Sequence, residues 1–183
     1  MFKRVFLFSF YLIYLTVTKK SFFKSLNRNK KNYIFDIDNT VANTWPTLNL
    51  EWKSEVERLS QIRPIEKIIL EIKFLEKSNN IIYLTARDFR FKDVTVNWLR
   101  NQGLYANYKN VYLVPNPTIK YKWLRAIGIH YDVVFIDDMS YNHENGIVKY
   151  YESIINKIIK LPIRYIGYSE IQKFITNNSI NAL

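Results

Sequence analysis

Tyr33-Ile34-Phe35-Asp36-Ile37-Asp38-Asn39-Thr40 places two carboxylates, one residue apart, directly behind a short apolar run. The run reads as a buried strand, and strand side chains alternate between faces. Asp36 and Asp38 therefore leave on the same side if the extended conformation continues. Anions that close repel unless a cation or a proton lies between them. A hard cation such as Mg2+ suits them, because it takes oxygen ligands and commonly combines one or two carboxylates with a substrate phosphate. A metal-assisted phosphoryl-transfer site is one reading. A strand end running into an Asx-type turn is the other, since Asp and Asn favour turns.

Three further segments follow in order. Ile81-Ile82-Tyr83-Leu84-Thr85-Ala86-Arg87 reads as a second buried strand with a hydroxyl at its end. Lys120 and Lys122 follow the turn Pro115-Asn116-Pro117-Thr118, near the start of a helical pattern over Thr118–Ile127. Lys120 is preferred, because it lies nearer the helix start and one turn before the apolar Leu124. A solvated helix charge is the commoner fate of a lysine. Val133-Val134-Phe135-Ile136-Asp137-Asp138 is a third buried strand ending in two acids. Open α/β sheets bind ligands outside the carboxyl ends of their strands, so Asp36/Asp38, Thr85 and Asp137/Asp138 would meet at one edge, with a lysine reaching in from a helix.

Together, Asp36-x-Asp38-x-Thr40, Thr85, Lys120 or Lys122, and Asp137-Asp138 resemble the motifs of haloacid dehalogenase-like phosphohydrolases, over roughly Lys31 to Tyr168. The resemblance implies a Rossmann-like α/β core and a Mg2+ cofactor. It implies that Asp36 is the nucleophile, taking the phosphoryl group as an aspartyl-phosphate. Asp38 would protonate the leaving oxygen, then activate water, while its backbone carbonyl ligates the metal. Thr85 and the lysine would hold the phosphoryl oxygens. Asp138 would be the third metal ligand, with Asp137 beside it as ligand or support. Asn39, Thr40 and Lys122 join the substrate-contact candidates. So does Arg87, whose alternative is a surface salt bridge with Asp88 or Asp93. Many family members place another acid after the pair; here Asn142-His143-Glu144 occupies that zone, and a polar loop is favoured over a metal role for Glu144. His143 reads as a loop hydrogen-bonder.

Composition narrows the chemistry. The chain has 183 residues and no cysteine, which removes thiol nucleophiles, disulfides and Cys-built metal sites. Two histidines are too few for a His-built centre, and four glycines write neither a Walker A loop nor a GxGxxG. The net charge of +11 invites a nucleic-acid partner, but its distribution disfavours one. Lys3, Arg4, Lys19, Lys20, Lys24, Arg28, Lys30 and Lys31 lie in residues 1–31 with no acid among them, so the body, 32–183, is only mildly basic.

Within that first segment Val5 to Val17 is apolar or aromatic except for Ser9 and Thr16. Thirteen helical residues span about 20 Å, short of a hydrocarbon core of about 30 Å. Basic residues flank the run on both sides, and no small-x-small cleavage site follows. The expectation is a peripheral membrane-contact or buried segment in a cytoplasmic protein; the alternatives are a poorly ordered tail or a helix packed on the body.

Strand–helix alternation predicts a doubly wound parallel sheet. The expected pieces include an amphipathic helix over Leu50–Ser60, a helix opened by Pro64 and running to Leu75, a helix over Phe89–Asn101, a helix over Ile147–Ile159, and a final helix capped by Ser169. The spacings leave no room for a large cap domain, so the site should be open. Trp98 and Trp123 read as core; Trp45 and Trp52, in the flap region, read as candidates for substrate contact. The expected function is hydrolysis of a small phosphorylated substrate such as a sugar phosphate or nucleotide. The alternatives are a nucleic-acid 3′-phosphate or phospholipid headgroup as substrate, and a non-catalytic relative that only binds. Oligomeric state is not legible in the sequence.

Overall fold

Runs of three or four buried apolar residues, separated by amphipathic segments, form most of the central layer. The computed structural model describes residues 2–176, with the backbone alone for 2–10 and 12. In chain order the elements are helix α1 (Phe2–Ser25), strand β1 (Asn32–Phe35), strand β2 (Ala42–Asn43), helix α2 (Glu55–Gln61), strand β3 (Arg63–Pro64), helix α3 (Glu66–Leu75), strand β4 (Asn80–Thr85) and helix α4 (Lys92–Asn101). Strand β5 (Val111–Leu113), helix α5 (Pro117–Arg125), strand β6 (Val133–Ile136), strands β7 (Ser140–Tyr141) and β8 (Lys149–Tyr150), helix α6 (Glu152–Ile158), strand β9 (Arg164–Ile166) and helix α7 (Tyr168–Thr176) complete it.

Five strands pair in parallel in the order β5-β4-β1-β6-β9. The chain steps outward from β1 to β4 and β5, then returns to the other side of β1 for β6 and β9. That reversal makes a crevice at the carboxyl ends of β1 and β6, where doubly wound folds bind ligands. Side chains alternate as strand geometry demands. Tyr33, Phe35, Tyr83, Val134 and Ile136 pack on one face with Leu59 of α2, Ile68 and Ile72 of α3, Trp98 of α4 and Ile171 of α7. Ile34, Ile82, Leu84, Tyr112 and Phe135 face the other way, under Phe22 of α1, Trp123 of α5 and Ile158 of α6.

The connections correct several expectations. Pro64 does not open a helix; it lies in β3 opposite Ala42 of β2, and α3 begins at Glu66. Proline is tolerated at the edge of so short a ribbon. The helix expected from Leu50 starts only after Ser54, whose hydroxyl accepts the Glu57 N–H. Leu50 and Val56 are exposed, and Leu59 is the buried member of that pattern. The helix expected from Ile147 begins at Glu152, because the preceding residues form the β7–β8 hairpin, with Asn142 and Gly146 in the left-handed region. Ser169 lies inside the first turn of α7 and does not cap it. Between β1 and α3 stand only the β2–β3 ribbon, one 3-10 turn at Trp45–Thr47 and α2, so the carboxyl edge stays open.

The carboxyl half of α1 is a layer of the core. Phe22 is wholly buried, 5.4 Å edge-on from the Tyr112 ring and 5.3 Å from Trp123. Asn32 anchors the turn after it: the side-chain amide donates to the carbonyls of Asn27, Lys30 and Asp132 and accepts from Asn27 and Asn80. Among the described residues no helix is long and apolar enough to cross a membrane. Phe22→Ala should destabilise the protein by about 3–5 kcal/mol in urea denaturation, whereas Ile13→Ala, on the exposed side of α1, should change stability by less than about 0.5 kcal/mol. Equal effects would mean that α1 is not docked as described.

Candidate active site

The carboxyl ends of β1, β4 and β6 and the first turn of α5 surround a cleft of about 270 Å³. Asp36 follows β1, Thr85 ends β4, and Asp137 and Asp138 follow β6. Lys120 enters from α5, whose start is set by Pro117 and by Asn116, the side chain of which accepts the Ile119 N–H at 3.1 Å. All five side chains line the cleft, together with Asp38 and Asn39.

Lys120 is the hub. Its ammonium donates to Asp36 Oδ1 at 2.6 Å and to Asp137 Oδ2 at 2.7 Å, and the residue is only 2% exposed. Burial alone would lower its pKa, but the charges of Asp137 and Asp36 outweigh that and raise it, so the ammonium stays charged. Lys122, its rival, is exposed and does not line the cleft. Asp36, Asp137 and Asp138 offer oxygens that lie within 4.8 Å of one another. Burial pushes the Asp36 carboxyl up to about 7; Lys120 opposes the rise, and the charges of Asp137 and Asp38 add to it. Burial and the Asp137 and Asp36 charges likewise drive Asp138 well above the usual carboxylate range.

Asp38 has a different environment. Strand β1 has ended at Phe35, and Asp38 forms an isolated bridge with Ala42, at a turn where Asn39 adopts φ 58°. Its two oxygens are clamped by Arg87 Nε and Nη2, both at 2.7 Å, and Thr44 Oγ1 donates to it at 2.7 Å. Burial works against its ionisation, yet Arg87, aided by the Thr44 hydroxyl and the Arg58 charge, outweighs burial and holds the carboxyl at about 2. Arg87 is itself buried and donates to Thr95 Oγ1. The surface pairing considered for it does not form: Asp88 pairs with Arg90, and Asp93 accepts from the Tyr108 hydroxyl.

Asp138 is held from beneath. Thr40, expected at the substrate, is wholly buried; its hydroxyl donates to Asp138 Oδ1 and accepts the Asp138 N–H, both at 3.1 Å. Ser140 donates to Asp138 Oδ2 and also meets His143 Nε2 at 2.7 Å. His143 stacks on Trp45, so Trp45 braces the hairpin. Trp52 donates to the Thr47 carbonyl. Met139 adopts φ 45°, an uncommon conformation for a side chain of its size, directly after the acids. Its N–H bonds Asp137 Oδ1 at 2.8 Å and fixes that carboxylate's second oxygen. Asn39 accepts the Trp45 N–H, and Glu144 is exposed and is not one of the three clustered acids.

Thr44, Thr95 and Ser140 belong to no motif, and sequence reasoning missed them. Each is a lone hydroxyl whose partner is brought by another part of the fold. Beyond Asp38 a second cavity of about 420 Å³ opens, walled by Arg58, Arg87, Phe91 and His143 and sharing Asp38, Asn39, Ala86 and Ser140 with the first.

The donor set fits a hard divalent cation. Three buried carboxyl groups face one ammonium, so ionising all of them would leave excess negative charge in a poorly solvated place, and oxygen-only ligands are what Mg2+ prefers. Thr85 is among the residues that line the cleft, and its hydroxyl oxygen is buried without a hydrogen-bond partner.

No protein-family description matches the sequence, and no curated relative matches it. Among solved structures, a class C acid phosphatase from Bacillus anthracis superposes with a TM-score of 0.50 at 16% identity, over 90% of this chain and 86% of that one. At that identity the likeness establishes the shared α/β fold.

The charges predict how stability follows pH. Asp36 and Asp138 keep protons in the fold at pH values where the unfolded chain has released them, so the contribution of Asp36 falls as pH rises from about 4 to about 7, and that of Asp138 falls in the same direction. Asp38 acts oppositely: its contribution is full above about 4 and is lost as pH falls toward about 2. In chelator, the melting temperature should be lower near about pH 8 than near about pH 5. Added Mg2+ should raise it more at the higher pH, because the ion binds bare carboxylates. A melting temperature that rises with pH in chelator would contradict this arrangement of charge.

Proposed function

We propose that the protein is a Mg2+-dependent phosphomonoester hydrolase that works through an aspartyl-phosphate on Asp36. One observation carries the reading: Asp36, Thr85, Lys120, Asp137 and Asp138 meet in one cleft from four separate elements, with the Thr85 hydroxyl unpartnered. The acid phosphatase likeness in fold and the resemblance of the motifs to haloacid dehalogenase-like enzymes agree with it.

Phosphoryl transfer asks chiefly for positioning and for cancelling charge on the equatorial oxygens. Mg2+ held by Asp36, Asp138 and the Asp38 backbone carbonyl would supply part of that positive charge. Lys120 and Thr85 supply the rest from the protein. In the first half-reaction an Asp36 oxygen forms a bond to phosphorus as the bond to the ester oxygen breaks, and the departing oxygen takes a proton from Asp38. In the second, Asp38 takes a proton from water, the hydroxide oxygen bonds phosphorus, the Asp36–phosphorus bond breaks, and inorganic phosphate leaves. Arg87 favours the ionised Asp38 required for the second half. Proton donation in the first half therefore requires that clamp to relax when substrate is bound. The neighbouring 420 Å³ cavity lies on the Asp38 side, where the leaving group must sit, and its volume suits a small metabolite.

With Mg2+ the protein should hydrolyse an aryl phosphate, and Asp36→Asn should lower kcat by on the order of 10³-fold or more. Thr85→Val should lower it by roughly 10²-fold, the loss typical of one charge-stabilising donor. Asp38→Asn should harm an alkyl phosphate more than an aryl phosphate, because an aryloxide leaves with little need of a proton. Absence of turnover across sugar phosphates, nucleotides, phosphorylated oligonucleotides and phosphatidate, with Mg2+ binding intact, would favour a binding protein instead.

A further inference from the structure

The molecule carries one feature that the cleft does not use. Helix α1 is 24 residues long, and its described contacts with the body run from its middle to its carboxyl end. Tyr11 and Tyr14 pack on the Phe89 ring, and Tyr14 OH donates to the Leu113 carbonyl at 3.3 Å. Thr18 and Phe22 are buried, and Asn80 Nδ2 donates to the Ser25 carbonyl at 2.8 Å. On the opposite side, Ile13 and Val17 are each 62% exposed. They are four residues apart and so share a face. Lys20 and Lys24, both exposed, continue that stripe by further turns. One helix face thus passes from apolar to basic.

We propose that α1 docks this protein on an anionic lipid surface, with Ile13 and Val17 against the acyl boundary and the flanking basic residues among the headgroups. Three observations choose this occupant. The apolar run Val5–Val17 is flanked at both ends, by Lys3-Arg4 and by Lys19-Lys20, as suits a helix lying in the interface plane with both ends at headgroup level. At about 20 Å the run is too short to span the hydrocarbon. Residues 1–31 hold eight basic side chains and no acid, the complement of an anionic leaflet. A second copy pairing along α1 would set these like charges together, and a nucleic acid would leave the apolar stripe uncovered.

The direction of α1 adds a consequence. Ser25 is tied to Asn80, at the amino end of β4, while Tyr14 reaches Leu113, at the carboxyl end of β5. The helix therefore runs against the strands, and its first nine residues, about 14 Å of helix, lead past the carboxyl edge that carries the cleft. If the hydrolase reading holds, docking brings the cleft to phosphomonoesters borne on the same surface; docking itself does not depend on that reading.

Vesicle flotation of the full chain tests it. Binding to phosphatidylcholine vesicles containing phosphatidylserine should exceed binding to phosphatidylcholine alone by about tenfold or more, and should weaken as salt is raised. Ile13→Asp/Val17→Asp should reduce that binding by about tenfold or more, with an unchanged melting temperature and unchanged hydrolysis of a soluble aryl phosphate. Lys20→Glu/Lys24→Glu provides a second variant should the first be poorly folded, and it should abolish the preference for the anionic lipid. Hydrolysis of vesicle-borne phosphatidate should fall in both variants. Failure to float with anionic vesicles overturns the proposal, as does binding insensitive to both variants, or loss of a homodimer in their place. Flotation without hydrolysis of any ester would instead count against the hydrolase reading and leave docking standing.

Discussion

Lys120 Nζ is bonded to carboxylates from two different strands while almost entirely removed from water. Each ion so buried forfeits several kcal/mol of hydration. The return comes only if ammonium and carboxylates meet at close range with their remaining atoms engaged. That requirement reaches far into the structure. β1 must lie beside β6, so that Asp36 and Asp137 leave the sheet together, and α5 must begin at the sheet edge, so that its first turn enters the cleft. Met139 accepts a left-handed backbone because its N–H then holds the second oxygen of Asp137. Since one ammonium cannot balance three ionised carboxylates, two of them are pushed toward their protonated forms, and the parallel sheet that creates the cluster also creates a set of oxygens that could hold a cation.

The second ion pair, with Arg87 buried and Asp38 half-buried, separates the electrostatic states of two acids that stand one residue apart. Asp36 faces burial and like charges, which raise its pKa; Asp38 faces a two-pronged guanidinium, which lowers it. Two groups of one chemical type are thus driven apart by their surroundings, the arrangement on which the roles proposed for them rest. The guanidinium is positioned in turn by Thr95, one turn inside α4, so the state of Asp38 depends on packing well outside the cleft.

The amino-terminal helix unites two physical characters along its length. Its carboxyl half covers β4 and β5 as any layer helix would, through Phe22 and its aromatic neighbours. Toward its other end, apolar side chains face outward where a purely structural helix would carry polar ones. The same element therefore belongs to the core and supplies a surface. Because it runs against the strands, that surface adjoins the end of the molecule where the cleft opens.

Much of this architecture was legible from residue order. Buried apolar runs ending in acids, separated by amphipathic stretches, dictate strands, helices and a parallel sheet, because alternation of side chains and hydrophobic periodicity are local properties. The short connections were less legible. Pro64 sits in a ribbon strand and residues 140–150 form a hairpin, since pairing partners distant in sequence overruled local preference. Residue order also supplied the charged candidates, but not their partners. Whether Arg87 met Asp88 on the surface or Asp38 in the interior, whether Thr40 touched substrate or supported Asp138, and which lysine entered the cleft all turned on how separate strands and helices converge. Local sequence determines what each segment can form and which chemistry it carries. Tertiary structure alone decided which charges share a low-dielectric space, because the energy of an ion depends on its neighbours in space and those come from every part of the chain.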